Sequence, residues 1–203
     1  AGPIASKKGK SIASTLLKNI DRMLVRDQHS YDYIKREYPE NIEKISKGSD
    51  SIFLLKEKLK PNEKIKKGRI GLCFRSWPQL NLSNLSNLTE LLIKENKTPI
   101  FFAYEKADLK LYEILSAKFQ DKIFLLEPTS LDSDLQRICD LDGLISMRLH
   151  ANLFAIMSST PFVALSYDEK VTNVISQAGY PNQVLSISTY PELILNRLDD
   201  FDI

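Results

Sequence analysis

Histidine, cysteine and glycine are scarce in this chain: its 203 residues hold only 2 histidines, 2 cysteines and 7 glycines. Each scarcity excludes something. Cys73 and Cys139 sit inside apolar runs with no metal-ligand spacing, so a disulfide framework or zinc module is excluded and two buried thiols are expected. Neither the dinucleotide fingerprint nor the Walker loop occurs, both of which need glycine where the backbone approaches a phosphate. That argues against nicotinamide, flavin and ATP chemistry. The Gly-x-Ser-x-Gly elbow and the His-Glu-x-x-His helix are missing as well. A surplus of one charge is also lacking: 28 basic against 26 acidic residues leave a net charge of +2, too balanced for a nucleic-acid partner. Any basic site must be local. No apolar run reaches the roughly 18 residues of a membrane span, and no signal-peptide pattern is present. The default location is cytoplasmic, in solution or at the inner face of the membrane.

What is present is regular. Hydrophobic residues make up 43% of the chain, enough for a real core. From Arg69 onward the apolar runs Ile70 to Phe74, Ile100 to Ala103, Ile123 to Leu126, Leu144 to Met147, Phe162 to Leu165 and Val184 to Ile187 are strand-length. Helical stripes separate them: Leu82, Leu85, Leu88, Leu91 and Leu92, then Leu109 to Leu115, then Leu135 and Ile138, and a last one of Leu193, Leu195 and Leu198 behind Pro191. Strand alternating with helix predicts crossover units and a parallel sheet covered on both faces, an α/β fold. Three overlapping glycosylation patterns starting at Asn81, Asn84 and Asn87 share their leucines with the first stripe, so they read as helix.

The first part of the chain is more irregular. Ser11 to Arg22 reads as an amphipathic helix, Met23 to Val25 as a short strand ending in Arg26 and Asp27, and Ser30 to Glu37 as a second helix, with His29 exposed at its entry. Lysine-rich Lys56 to Gly68 carries no interleaved aromatic residues and reads as a solvated connection rather than a nucleic-acid patch. The expected division is residues 1–60, which run into the connection, and residues 61–203, which hold the parallel sheet and a terminal helix. Ala1 followed by Gly2-Pro3 reads as the start of a truncated chain.

Cations stand at the ends of four strands: Arg26, Arg75, Arg148 with His150 two positions on, and Lys170. In an open parallel sheet ligands sit at the carboxyl ends of strands, where helix N-termini add a partial positive charge. Guanidinium groups bind carboxylate or phosphate through a bidentate fork, an ammonium group supplies a compact charge, and imidazole can carry a proton at neutral pH. Taken singly, such residues more often reach water or pair with nearby carboxylates, with Asp27, Asp140, Asp142 and Asp168 the evident candidates here. As a set they point to a small anion.

Met147-Arg148-Leu149-His150, with Tyr167-Asp168-Glu169-Lys170-Val171 after a Pro161-led strand, resembles the C-terminal signature of polysaccharide pyruvyltransferases. Val25 to Ser30 is similar to that family's Arg-Asp-x-x-Ser segment, Gly2-Pro3 to the end of its Gly-Pro turn, and Leu72 to Arg75 to its strand ending in arginine. Ser49 to Phe53 departs from the Asp-Pro usual there, and Glu169 stands where proline is common. The resemblance implies a GT-B-like two-lobed architecture, with residues 1–60 as the end of its N-terminal lobe and connection and residues 61–203 as its C-terminal Rossmann-like lobe. It implies transfer of a pyruvyl group from phosphoenolpyruvate to two hydroxyls of a sugar, forming a ketal in exopolysaccharide or cell-wall glycan biosynthesis, with phosphoenolpyruvate as donor substrate and no further cofactor or metal. The acceptor would be a glycan or a lipid-linked or nucleotide-linked sugar. On this reading His150, Arg148 and Lys170 are catalytic, and Arg75, Arg26 and Leu149 bind substrate, with Arg75 and Arg26 lining a cleft from its two sides. Two other functions stay open: a GT-B-type nucleotide-sugar glycosyltransferase, for which Glu127 is the one acidic candidate for a ribose, and a non-catalytic anion- or glycan-binding relative.

Overall fold

Alternation of apolar runs and helical stripes produces the expected layers. A computed structural model describes residues 4–59, 68–127 and 129–201. Gly2-Pro3 and residues 60–67 of the lysine-rich connection lie outside the described residues. The chain divides into two compact units, Ala1–Phe53 and Leu54–Ile203.

The first unit opens with α1 (Lys7–Asn19), whose N-cap Ser6 accepts a hydrogen bond from the Gly9 amide at 3.0 Å. Parallel strands β1 (Met23–Val25) and β2 (Ile45–Lys47) flank α2 (Gln28–Glu37), and a 3-10 segment, Pro39–Lys44, leads into β2. Leu17, Val25, Tyr33, Ile34, Tyr38 and Ile45 form its core. Both helices begin earlier than the apolar spacing alone predicts, because a side-chain cap sets each start. For α2 that cap is Asp27, which takes the Ser30 amide at 2.7 Å. Burial alone would raise the Asp27 pKa, but the Ser30 amide and hydroxyl outweigh it and hold the carboxyl below its usual range.

In the second unit β3 (Arg69–Cys73), β4 (Thr98–Phe102), β5 (Phe124–Leu126), β6 (Gly143–Ser146), β7 (Phe162–Ser166) and β8 (Val184–Ser186) form one parallel sheet in the order β5-β4-β3-β6-β7-β8. Helices α3 (Leu82–Lys94), α4 (Lys106–Phe119), α5 (Leu131–Cys139), α6 (Leu149–Ser158), α7 (Glu169–Gln177) and α8 (Pro191–Asp199) make the crossovers and the terminal helix. This is the doubly wound order, with its reversal between β3 and β6. Every residue of β6 and the first four of β7 are buried, which is why those runs are continuously apolar. Coverage on both faces fails at β5: Phe124 and Leu125 are exposed because an edge strand has one neighbour.

Three helical stripes rotate slightly from expectation. In α3 the buried set is Leu85, Leu88, Thr89 and Leu92, while Leu82 is exposed and Asn81 serves as N-cap for the Ser83 and Asn84 amides. In α4 Leu111 and Leu115 are buried and Ile114 is not. In α8 Ile194 replaces the exposed Leu193 on the inner face. At the centre of the sheet Gly71 stands beside Leu144, and an added Cβ would come within 2.5 Å of the buried Leu141 side chain, which would have to shift to admit it. Cys73 and Cys139 are both buried, as expected. No described helix is long and apolar enough to cross a membrane.

Candidate functional site

The reversal between β3 and β6 leaves a crevice at the carboxyl ends of the strands, and a pocket of about 450 Å³ lies there. Chain segments leaving β3, β4, β6 and β7, together with the start of α5, supply its walls. Five of the six residues singled out from the sequence line it: Arg75, Arg148, Leu149, His150 and Lys170. The sixth, Arg26, belongs to the other unit. Its guanidinium bonds the buried Asp50 at 2.6 Å and lies 3.9 Å from Asp27, beside a separate pocket of about 410 Å³. His29 is exposed in the first turn of α2, as expected.

Arg75 is two residues beyond β3 and has no carboxylate partner among the described residues. Its guanidinium lies 5.4 Å from the Trp77 ring centroid and 5.6 Å from that of Tyr167, and Nη1 donates to the Tyr167 hydroxyl at 3.2 Å. The two rings lie 4.5 Å apart and fix the guanidinium plane. Its Nε is buried with no hydrogen-bond partner. A guanidinium so placed has its charge uncompensated by any carboxylate in direct contact among the described residues.

Arg148 differs. It is the residue before α6, where Nη2 donates to Asp108 Oδ2 and Nη1 to Glu105 Oε1 at 3.0 Å, and its plane lies over the Tyr104 ring at 5.2 Å. Asp108 is fully buried and also accepts the amides of Tyr104 and Glu105 at 3.1 and 3.0 Å. Burial opposes the charge on Arg148, but Asp108 outweighs it and holds the pKa above the ordinary arginine value. Hydrogen bonding and charge from Arg148, with a smaller share from Arg75, hold Glu105 below its ordinary range.

Three helices begin at this pocket, and their caps differ. Ser130 caps α5 through the Ser133 amide, and Asp168 caps α7 through the Lys170 amide at 2.8 Å. The N-cap of α6 is Arg148, which makes no side-chain cap, so the first-turn amides of Leu149, His150 and Ala151 have no capping group. Those three residues all line the pocket. Uncapped amides, Arg75, the exposed imidazole of His150 and the exposed ammonium of Lys170 thus lie around one pocket, a set of groups whose chemistry suits an anion. Among the described residues no cluster of metal-ligating side chains occurs.

Several residues here escape a reading of spacing alone. Asp108 and Glu105 neutralise Arg148 from a segment some forty positions away; the only local signal is the capping box at the start of α4. Asp134 is the one carboxylate among the described lining residues, and burial raises its pKa above the usual range. Of the acids expected to pair with strand-end cations, Asp142 instead accepts the Arg69 amide at 2.8 Å and Asp168 caps α7. Glu127 is exposed beyond β5 and does not line the pocket.

Solved structures similar to this chain include two UDP-GlcNAc 2-epimerases and a heptosyltransferase. The UDP-GlcNAc 2-epimerase of Methanocaldococcus jannaschii is 14% identical with a TM-score of 0.65, over 97% of this chain and 58% of that one. The UDP-N-acetylglucosamine 2-epimerase from Rickettsia bellii is 16% identical with a TM-score of 0.62, over 97% of this chain and 56% of that one. ADP-heptose lps heptosyltransferase II of E. coli is 18% identical with a TM-score of 0.52, over 75% of this chain and 51% of that one. At these identities the likeness establishes the GT-B-type α/β fold, and the chain spans between 51% and 58% of the three structures. No curated protein matches the chain. The family model described as polysaccharide pyruvyl transferase matches residues 1–169, a stretch that includes β3, β6 and the Arg148-Leu149-His150 turn. On that match, the chain belongs to the polysaccharide pyruvyl transferase family.

Proposed function

We propose that this chain carries the donor site of an enzyme that transfers a pyruvyl group from phosphoenolpyruvate to two hydroxyls of a sugar. The observation that carries the reading is the pocket at the sheet reversal, where Arg75, without a carboxylate partner among the described residues, His150, Lys170 and the uncapped start of α6 face one space. Phosphoenolpyruvate is a small molecule with a carboxylate at one end and a phosphate at the other, and this pocket offers separate cationic groups for each. We assign the unit Leu54–Ile203 to the C-terminal Rossmann-like lobe and Ala1–Phe53 to the end of the N-terminal one.

The chemistry needs one proton delivered and two removed. A proton adds to the methylene carbon, and positive charge develops at the neighbouring carbon, shared with its oxygen. One sugar hydroxyl attacks that carbon and loses its proton; the carbon–oxygen bond to phosphate then breaks, and the second hydroxyl closes the ketal. The first hydroxyl proton balances the one added to carbon, and the second leaves with the phosphate. His150 is the group for proton transfer. Lys170, Arg75 and the α6 amides take up charge on the departing phosphate, where such donors act most strongly. Arg148 and Leu149 complete the wall of the same pocket, and Arg148 keeps one arm on Asp108.

The test is phosphate release by the full-length protein given phosphoenolpyruvate and candidate glycans. Acceptor-dependent release supports pyruvyl transfer; nucleotide release from a sugar nucleotide instead would favour a glycosyltransferase. Replacement of His150 or Lys170 by alanine is expected to abolish transfer without lowering the unfolding temperature, since both side chains are exposed. Near-normal turnover in either variant overturns its role.

A further inference from the structure

Arg148 has one arm that is fixed and one that is exchangeable. The fixed arm, Nη2, is held by Asp108, whose side chain is 1% exposed and is itself anchored by two main-chain amides. The other arm, Nη1, is held by Glu105, whose side chain is 55% exposed. Losing Asp108 would strand a buried charge, whereas Glu105 gives up only a largely exposed ion pair and its place in the capping box of α4. Glu105 also lies within electrostatic reach of Arg75, the second guanidinium of the pocket. Two carboxylates on one guanidinium leave no charge over for a ligand. An anion can use Arg148 in full only after one carboxylate has gone, and only Glu105 goes cheaply.

We infer that Glu105 is an internal stand-in for an anionic group of the donor: it occupies Nη1 of Arg148 beside the pocket and is displaced when the donor binds. This rests on the donor-site reading above and adds to it the residue that sets donor affinity. The structure gives the exchange a direction. Asp108 stays, so Arg148 keeps its orientation while the incoming anion replaces Glu105 on the accessible side. Glu105 thereby weakens binding of any anion that must take its place, and it does so without touching the ligand itself.

The experiment titrates the full chain and its Glu105→Gln variant with phosphoenolpyruvate and with inorganic phosphate. Trp77 fluorescence serves as one readout, because this single tryptophan stacks beside Arg75. Calorimetry serves as the second. Glutamine keeps the shape and removes the competing charge, so the variant is expected to bind phosphoenolpyruvate about two- to fivefold more tightly, the worth of an exposed ion pair. The gain should shrink as salt is raised. Tightening for phosphoenolpyruvate alone identifies the carboxylate as the displacing group, and tightening for both ligands identifies the phosphate. A purely structural Glu105, one that only steadies Arg148, would give the opposite sign. Equal or weaker binding of phosphoenolpyruvate by the variant overturns the inference while leaving the donor site standing. Absence of phosphoenolpyruvate binding in wild type and variant alike overturns the donor-site reading and the inference with it.

Discussion

Replacing Asp108 by asparagine tests the arrangement under the pocket most directly. The side chain is 1% exposed and accepts three donors, two of them main-chain amides that an asparagine oxygen can still satisfy. What is lost is the charge opposite Arg148, whose own side chain is 17% exposed. Stranding one member of a buried ion pair costs about 3–5 kcal/mol, and the retained Glu105 contact argues for the lower end, about 3 kcal/mol. For a chain of this size that lowers the unfolding temperature by about 6–12 °C. Arg148→Met should cost a similar amount, because it leaves the Asp108 carboxylate buried with only its amide donors. The two losses share a cause, so the double variant should recover about 2 kcal/mol or more relative to their sum. Urea denaturation followed by Trp77 fluorescence measures all four proteins and reports the unit that holds the pair, since the chain has a single tryptophan. Additivity of the two single changes to within about 0.5 kcal/mol would refute the coupling.

Two further predictions concern groups near the same site. Cys73 is fully buried opposite Ser146, and burial pushes its thiol up to about 12, so a thiol reagent at neutral pH is expected to label it only at the rate of unfolding; rapid labelling of the native chain would contradict this burial. Burial raises the Asp134 pKa, so folding favours its protonated form: that contribution is fully present below the unfolded value of about 3.9 and is lost as pH rises through the folded one. Asp134→Asn should therefore unfold at or above the wild-type temperature at pH 7, with the difference closing at low pH; a clear drop at pH 7 would show that the ionised carboxylate stabilises the fold through Arg137.

The strands were legible because β6 and β7 are covered on both faces, which demands unbroken apolar runs. The crossover logic then places Arg75, Arg148 and Lys170 at one end of the sheet from the sequence alone. Helix phases were less legible: in α3 and α8 a leucine continues the stripe in sequence yet lies in water, since leucine forms helix well whether or not it is buried. The partners of Arg148 were not legible at all. Asp108 and Glu105 sit on a different crossover, and nothing in local spacing tells that β4 and β6 flank β3 from opposite sides. A charge can be recognised from sequence, but whether it is already spent depends on strand order.

That strand order gives the Asp108–Arg148 pair a further consequence. Asp108 follows β4, in the half of the sheet made by β3, β4 and β5, and Arg148 follows β6, in the half made by β6, β7 and β8. The pair forms only when the two halves meet, and the nascent chain makes Asp108 well before Arg148. Docking of the second half is what makes burial of the first half's carboxylate tolerable. The ion pair thus acts as a lock on cooperativity: it penalises half-assembled states and commits the sheet to form as one unit.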